Sequence, residues 1–379
     1  MGIIRKLWAA GLWCLSLPLP VDKKKVVFCS YYGRGYSDNP KAIAQAMLDA
    51  GTDAKLCWLV KNEKEAATLP KGIIPIPYDS PRRIFCLATA RVWVDNCRKY
   101  DRFKKKNQFY LQTWHGFALK RIEKDAIDAL PGDYERGAMK DSGHTDLLLS
   151  NSTYMTNVLR RCFWYDGEIA PYGSPRNDVF FRPDPAAEKK VREKLGLPED
   201  RKLLLYAPTF RVDKGATDIY GMDALGAREA CEKRFGGSWS VLIRLHPNVA
   251  AKSQGLFPYD GDKVLDATMY PDMQELLCAT DLLITDYSSS IFDYALSGKP
   301  CMQFALDMEA YRKDRNFYVP LDQLPFPPAT NNEELIAAIE HFDVPGFRDR
   351  WDAFRSEQGF TEDGCASRRC AQWIEAHLD

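Results

Sequence analysis

Short apolar runs alternate with segments of helical periodicity along most of the chain. The first series of runs covers residues 26–29, 56–60, 73–76, 91–94, 108–111 and 146–149. Short, nearly continuous apolar runs of this kind are typical of strands that are buried on both faces of a sheet. Helical patterns at residues 39–50 and 152–162 accompany them. The alternation predicts a parallel sheet covered by helices.

A second series begins after the turn-rich residues 171–185. Its apolar runs cover residues 202–206, 239–244, 263–265, 282–284 and 300–304, with helical patterns at residues 223–235, 273–278, 292–296 and 333–341. The whole pattern predicts an α/β protein made of two Rossmann-like, doubly wound domains with a cleft between them. Open sheets of this type bind ligands at the carboxyl ends of their strands, so the chemistry is expected there.

The N-terminal segment differs from the rest of the chain. Residues 7–17 are almost wholly apolar, include Trp8 and Trp13, and are flanked by basic residues on both sides. Eleven apolar residues are too few to span a bilayer, which needs about 20. No small-x-small cleavage site precedes Pro18. We expect an amphipathic helix on a membrane surface; the alternative is a helix packed on its own protein.

The length of 379 residues favours two domains. We assign residues 1–24 to the membrane-associating segment, 25–180 to an acceptor and catalytic-base domain, and 181–379 to a donor-binding domain whose last helices can pack back on the first. Lysine plus arginine equals aspartate plus glutamate at 52 each, so no nucleic-acid partner is expected. Eleven cysteines without a C-x-x-C pair indicate reduced thiols and no zinc or other metal site.

Polar residues follow several predicted strands where each strand ends. They are His115 and Gly116, Thr209 and Arg211, Arg244 and His246, and Asp286 with Ser288, Ser289 and Ser290. An imidazole can take a proton from a hydroxyl nucleophile. Arginine and serine side chains at strand exits can hold a diphosphate. The sequence contains no P-loop, no G-x-G-x-x-G loop and no H-E-x-x-H motif, which disfavours kinases, dehydrogenases and metalloproteases.

Each feature also has a purely structural interpretation. A single histidine after a strand is more often structural, and a serine turn can simply cap its own helix. Arg176 lies in a Gly-Ser-Pro turn, which is ordinary turn chemistry. Asp286 can hold a ribose hydroxyl or only begin the turn. The repetition at four strand ends favours the functional interpretation.

Four ordered motifs resemble the CDP-glycerol glycerophosphotransferases of teichoic acid synthesis. They are residues 112–116 (QTWHG), 206–211 (YAPTFR), 244–247 (RLHP) and 285–293 (TDYSSSIFD), supported by residues 36–41, 93–98 and 298–300. The resemblance implies a GT-B fold, CDP-glycerol as donor, no cofactor, and an undecaprenyl-diphosphate-linked saccharide or polyol phosphate as acceptor at the cytoplasmic membrane face.

The resemblance also implies roles for individual residues. His115 matches the general base on the acceptor hydroxyl, and His246 matches a second histidine that contacts the donor phosphates. Arg211 and Ser288 to Ser290 match contacts to the donor diphosphate. The hydroxyl would attack the β-phosphorus of CDP-glycerol, with CMP leaving. The length favours a primase-like or short transferase over a long polymerase.

Three other functions remain open from the sequence. The same fold could move ribitol phosphate from CDP-ribitol, or a sugar from a nucleotide sugar. A non-catalytic scaffold of a wall-polymer assembly is the alternative from a different class.

Overall fold

Parallel strands joined by helical crossovers form both halves of the chain. The computed structural model describes residues 3–99, 101, 103–182, 184–209, 220–246, 255–308, 317–326 and 328–378. The chain divides into two compact units. Unit 1 comprises Met1–Gly116, Ile122–Asp178 and Gly359–Asp379, and unit 2 comprises Phe117–Arg121 and Val179–Gln358.

Unit 1 contains a seven-stranded sheet in the order β3-β2-β1-β4-β5-β6-β7. Its strands, all paired in parallel, are β1 (Asp22–Cys29), β2 (Lys55–Val60), β3 (Ile73–Pro77), β4 (Ala90–Asp95), β5 (Phe109–Gln112), β6 (Leu147–Leu149) and β7 (Glu168–Ala170). The direction of winding reverses between β1 and β4. In doubly wound sheets this reversal opens a crevice at the carboxyl ends of the strands, so residues after β1 and β4 are placed for ligand binding.

Helices cover both faces of this sheet because its strands carry apolar side chains on both sides. They are α1 (Ile3–Ser16), α2 (Asp38–Asp49), α3 (Glu63–Ala66), α4 (Pro81–Thr89), α5 (Tyr134–His144), α6 (Thr153–Cys162) and, from the C-terminal end, α13 (Ala366–Ala376). Short 3₁₀ turns occupy Glu123–Ala129 and Pro175–Phe180. One core packs Val26 and Val92 against Ile374 of α13, and another packs Val27 against Leu87 of α4.

Helix α1 is partly embedded in unit 1. Trp13 is 3% exposed and belongs to the core that contains Ile84 and Leu87 of α4. Trp8 and Leu15 are 57% and 67% exposed. One face of the helix therefore packs on the protein and another faces outward, and contact with a membrane stays a prediction. No helix in the described ranges is long and apolar enough to cross a membrane.

Unit 2 contains a six-stranded parallel sheet in the order β10-β9-β8-β11-β12-β13. The strands are β8 (Lys202–Tyr206), β9 (Trp239–Ile243), β10 (Val264–Asp266), β11 (Leu282–Thr285), β12 (Cys301–Phe304) and β13 (Pro328–Ala329). Winding reverses between β8 and β11, so the residues after these two strands flank the second crevice. The predicted α/β, doubly wound architecture is confirmed in both units.

Unit 2 has six described helices, of which the second to the fifth lie close to their predicted positions, whereas the first and the last were not predicted. The six helices are α7 (Pro185–Leu195), α8 (Ala224–Phe235), α9 (Met273–Ala279), α10 (Ser290–Ala295), α11 (Asn332–Glu340) and α12 (Val344–Gln358), with a 3₁₀ turn at Leu321–Gln323. The core of unit 2 joins Leu204, Val241 and Ile284 of the sheet to Ala227 of α8 and Leu335 of α11.

The unit boundaries differ from the ranges assigned from the sequence. Residues 181–379 were assigned to one domain whose last helices can pack back on the first, and Gly359–Asp379 belongs to unit 1. The reason is the apolar face of α13, whose Cys370, Ala371 and Ile374 are buried in the unit 1 core. Phe117–Arg121 belongs to unit 2, although unit 1 surrounds it in the sequence.

Candidate active site

His115 lies three residues beyond the end of β5 and is half-buried. Its ring Nδ1 is 2.6 Å from the backbone carbonyl oxygen of Asn96, which follows β4. A carbonyl oxygen can only accept, so Nδ1 carries the proton and donates it to this bond. The other nitrogen, Nε2, is then the basic atom of the neutral ring. This arrangement makes His115 suitable as a general base.

The surroundings of His115 keep it neutral near pH 7. Burial lowers its pKa below the ordinary value, and the hydrogen bond to Asn96 and the Asp38 carboxylate work in the opposite direction. Tyr31 lies edge-on to the ring, with centroids 5.9 Å apart. A neutral imidazole is the form that can accept a proton from an attacking hydroxyl.

Asp38 is itself held by a set of donors. It accepts from the Tyr31 hydroxyl at 2.6 Å, from the Arg176 guanidinium at 3.0 Å and from the backbone N–H of Asn39 at 2.7 Å. Burial acts to raise the pKa of Asp38, but Arg176 and these hydrogen bonds hold the pKa below its usual value. The carboxylate is therefore a stable negative charge beside the imidazole.

The backbone before His115 adopts a conformation that is costly for a residue with a side chain. Trp114 has φ of +52°, in the left-handed region. Its N–H donates to the side-chain oxygen of Gln112 at 2.9 Å, and its carbonyl accepts from the Asn39 amide at 3.0 Å. Strain of this kind persists where neighbouring contacts enforce it and is frequent at functional sites. Gln112 and Asn39 thus fix the path of the chain into His115.

Gln112 is anchored by a buried polar network beneath the loop. Its amide donates to the Tyr110 hydroxyl at 2.7 Å, and that hydroxyl donates to Asp141 at 3.1 Å. Arg98, which is 2% exposed, pairs with Asp141 at 3.1 Å and Glu123 at 2.7 Å. Buried networks with satisfied partners hold a single geometry.

Arg176 lies in unit 1 and holds Asp38 and Asn39 in place. It is 4% exposed, its guanidinium pairs with Asp38, and its backbone N–H donates to the Asn39 side chain at 3.0 Å. Gly116 helps to line a small pocket with Thr113, Trp114, Ser150 and Ser174.

Sequence reasoning did not select Asp38, Asn39, Asn96 or Gln112 as site residues. The signal that could have found them is their position, because polar residues follow β1, β4 and β5 at the edge of the sheet where winding reverses.

In unit 2, Thr209 and Asp286 lie on either side of the reversal between β8 and β11. The Asp286 carboxylate accepts from the backbone N–H of Thr209 at 2.8 and 3.0 Å and from its hydroxyl at 2.5 Å. It also accepts from the N–H of Tyr287 at 2.5 Å. Asp286 is 2% exposed. Its carboxylate joins the two strand exits, and a contact with the donor ribose stays a prediction.

The three serines follow Asp286 at the start of α10. The Ser288 and Ser290 hydroxyls are 2.9 Å apart, and the N–H of Ser290 donates to Ser288 at 3.3 Å. Ser289 occupies the position before the helix without a side-chain capping bond. All three are partly exposed. The bond from Ser290 to Ser288 serves the start of the helix, and donor binding by the serines stays a prediction.

Arg244 and His246 follow β9, the neighbour of β8. The Arg244 guanidinium contacts the sulfur of Met273 at 2.9 Å and the carbonyl of Tyr270 at 3.3 Å, and its backbone N–H donates to the Tyr206 carbonyl. His246 is exposed. Arg211 lies outside the described residues. In that described part of the chain, no group of three or more His, Cys, Asp and Glu residues is arranged to hold a metal ion.

Two doubly wound parallel sheets, each with polar residues at the carboxyl ends of its strands, are the architecture of the GT-B class. The comparison with known proteins narrows the class. A model of the family described as CDP-Glycerol:Poly(glycerophosphate) glycerophosphotransferase matches residues 12–376. The chain belongs to this family.

Relatives and solved structures agree with the family. The chain is 34% identical to the teichoic acid poly(glycerol phosphate) polymerase of Bacillus subtilis strain 168, over 89% of this chain and 46% of the relative. It is 32% identical to the polymerase of that name from Staphylococcus epidermidis, over 94% and 51%. It is 30% identical to the teichoic acid glycerol-phosphate transferase of Staphylococcus aureus, over 93% of each. The chain thus spans about half the length of the two polymerases.

Solved structures of the wall teichoic acid polymerase TagF share the fold. One variant superimposes with a TM-score of 0.86 and 29% identity, covering 99% of this chain and 95% of that chain. A histidine-to-asparagine variant soaked with CDPG for 15 minutes gives 0.85 and 31%, covering 98% and 93%. The resemblance to the glycerophosphotransferases and the GT-B-like fold are confirmed.

Proposed function

We propose that this protein transfers glycerol phosphate from CDP-glycerol to a hydroxyl group of a lipid-linked saccharide or polyol-phosphate acceptor. The observation that carries the proposal is the tautomer of His115, whose Nδ1 donates to the Asn96 carbonyl at 2.6 Å. That bond leaves Nε2 as a base, and the lowered pKa keeps it unprotonated near neutral pH. Membership of the family supports CDP-glycerol as the donor.

In the proposed reaction, glycerol phosphate passes directly to the acceptor without a covalent enzyme intermediate. The acceptor oxygen forms a bond to the β-phosphorus of CDP-glycerol, and the bond from that phosphorus to the bridging oxygen breaks. CMP leaves with the electron pair. Nε2 of His115 takes the proton of the acceptor hydroxyl and returns it to solvent afterwards.

Unit 2 supplies the groups proposed to hold the donor. His246, Arg244 and Arg211 would contact the phosphates, and hydroxyls of Ser288, Ser289 and Ser290 would donate to them. Positive charge and fixed donors stabilise the charge that develops on the departing CMP. Asp286 and Thr209 would act by holding these turns in place, since their hydrogen bonds join the two strand exits.

A panel of nucleotide donors tests the proposed function. The purified protein, with a synthetic lipid-linked acceptor, is incubated separately with CDP-glycerol, CDP-ribitol and UDP-sugars, and release of CMP or UDP is measured. We expect CMP release and glycerol phosphate transfer from CDP-glycerol. Turnover only of CDP-ribitol, or only of a UDP-sugar, would establish one of the alternative functions.

We further propose that α1 contacts the cytoplasmic face of the membrane, where an undecaprenyl-diphosphate-linked acceptor would be presented. The support is the exposure of Trp8, Leu15 and Leu17 next to basic residues. Exposed tryptophan and leucine insert at the headgroup boundary, and nearby lysines attract anionic lipid.

Point substitutions test this contact better than deletion, because Trp13 of the same helix is buried in the unit 1 core. The triple variant Trp8→Ser, Leu15→Ser and Leu17→Ser should sediment much less with vesicles that contain anionic lipid. Ile74→Ser, which removes a 47% exposed apolar side chain on β3, is the matched control. Equal sedimentation of the triple variant and the wild type would refute the membrane role of α1.

A further inference from the structure

The chain re-enters unit 1 immediately after α12 and lies along the loop that follows β6. The backbone N–H of Thr153 donates to the Gly359 carbonyl at 3.0 Å, and the N–H of Thr361 donates to the Asn151 carbonyl at 2.9 Å. Gly359 has φ of +63°, and a Cβ there would be 2.5 Å from the Thr153 hydroxyl. Residues 359–361 therefore pack closely against the loop that follows β6.

This return segment brings a buried carboxylate, Glu362, beneath two loops of unit 1. Glu362 is 5% exposed. Its Oε1 accepts from the side-chain amides of Asn151 at 3.3 Å and Asn177 at 3.1 Å, and its Oε2 accepts from the N–H of Ser174 at 3.0 Å. Gly173 permits this approach, because a Cβ there would be 2.7 Å from Oε2. One carboxylate thus joins the loops after β6 and β7.

The same two loops form a small pocket at the carboxyl ends of β5, β6 and β7. Its lining residues are Thr113, Trp114, Gly116, Leu149, Ser150, Asn151, Met155, Gly173 and Ser174. Asn151 and Ser174 are bonded to Glu362, and Trp114 and Gly116 are the two neighbours of His115 in the chain. The lining contains hydroxyl, amide and apolar groups and no charged side chain. The pocket has a volume of about 10 Å³, which is room for about one water-sized group, so it can hold a single hydroxyl group but not a phosphate.

We propose that Glu362 is a positioning residue that shapes this pocket to hold one uncharged hydroxyl group of the acceptor at the loop that carries His115. The inference rests on the proposed function and deepens it by naming the part of the acceptor and the residue that orders its site. Glu362 acts through Asn151 and Ser174 and does not touch the reacting atoms. A misplacement of about 1 Å at such a site can cost about 10²-fold in rate, so a bond far from the chemistry can control acceptor use.

The test is a kinetic comparison of Glu362→Gln with the wild type. Glutamine keeps the size of the side chain but offers one acceptor oxygen to three donors. We expect the KM for the acceptor to rise about tenfold or more, which is the effect of losing hydrogen bonds to a charged group. The KM and Kd for CDP-glycerol should stay within about twofold. Asp363→Asn, which alters the adjacent carboxylate paired with Arg369, is the matched control and should behave as wild type.

A double variant distinguishes positioning from general stability. Glu362→Gln combined with Asn177→Asp exchanges the amide and carboxylate partners, and Asn177 lies outside the pocket lining. We expect the acceptor KM to return most of the way to the wild-type value. If Glu362→Gln does not fold, Asn177→Ala removes one donor and should raise the same KM by a smaller factor.

The outcomes separate this inference from the function on which it rests. An unchanged acceptor KM in a folded Glu362→Gln variant, or equal losses of donor and acceptor affinity, would refute the positioning role while transfer by the wild type upholds the function. Absence of transfer from CDP-glycerol by the wild type would refute the proposed function, and this inference with it.

Discussion

At the residue scale, a backbone carbonyl sets which nitrogen of His115 is basic. The Asn96 carbonyl accepts from Nδ1 at 2.6 Å, so the tautomer does not depend on the charge of a second side chain. Asp38 supplies the nearby negative charge instead, and Arg176 and Tyr31 hold Asp38 in place. Replacing Asp38 should therefore alter the pKa of His115 and leave its tautomer unchanged.

The variant Asp38→Asn should move the acid limb of the pH–rate profile to lower pH. The Asp38 carboxylate raises the pKa of His115 and the Arg176 guanidinium lowers it. Removing the carboxylate takes away the first effect and leaves the second without opposition, so the pKa of His115 falls. Activity requires neutral His115, is lost as pH falls through this pKa, and would then persist to more acidic pH. Measurements of kcat/KM against pH in wild type and variant test this. A shift to higher pH would contradict the account of Asp38.

His115 could be predicted from the sequence because it follows an apolar run that ends in polar residues. Asp38 and Asn96 could be found only as polar residues at other strand exits, and their contact with His115 could not be predicted, since it depends on the strand order. Nothing in the local pattern around residue 112 reveals that Gln112 holds Trp114 at positive φ. Contacts across the sheet edge become visible only once the order β1-β4-β5 is known.

At the element scale, the turn after β11 contains polar residues of two kinds. Asp286 links this turn to the turn after β8, and three serines follow it. Asp286 joins the turns by accepting from Thr209 and Tyr287, whereas Ser288 and Ser290 bond mainly within their own turn. Substitution of Asp286 should therefore affect folding, and substitution of the serines should affect the donor.

Replacing Ser288, Ser289 and Ser290 together by alanine should weaken CDP-glycerol binding at least tenfold, because about 1.4 kcal/mol of lost hydrogen bonding corresponds to that factor. The melting temperature should change little. By contrast, Asp286→Asn should lower the free energy of unfolding by about 1–3 kcal/mol, because buried donors lose their acceptor. Calorimetric titration and thermal melts measure both quantities. Unchanged donor affinity in the triple variant would exclude the serines from the donor site.

The pattern of apolar runs predicted best the strands that are apolar throughout. Strands β8 and β9 coincide closely with their predicted runs, because buried parallel strands are continuously apolar. Strands β7 and β13, with three and two residues, were not predicted. The sequence left open that the last helices pack back on the first domain, and α13 does bury its apolar face in the unit 1 core.

At the scale of the whole molecule, each unit carries its polar residues at the reversal of its own sheet. In unit 1 they surround His115, and in unit 2 they surround Asp286 and the serine turn. The family assignment accounts for both sets, since one set would serve the acceptor hydroxyl and the other the CDP-linked donor. The central claim is that His115 removes the proton of the acceptor.

The most direct test of that claim is the single-turnover rate of glycerol phosphate transfer from CDP-glycerol by His115→Ala, compared with wild type. Removal of a general base typically costs about 10²- to 10⁴-fold, and we predict a loss of this size with the Kd for CDP-glycerol nearly unchanged. Transfer by His115→Ala at the wild-type rate would contradict the assignment of His115 as the base.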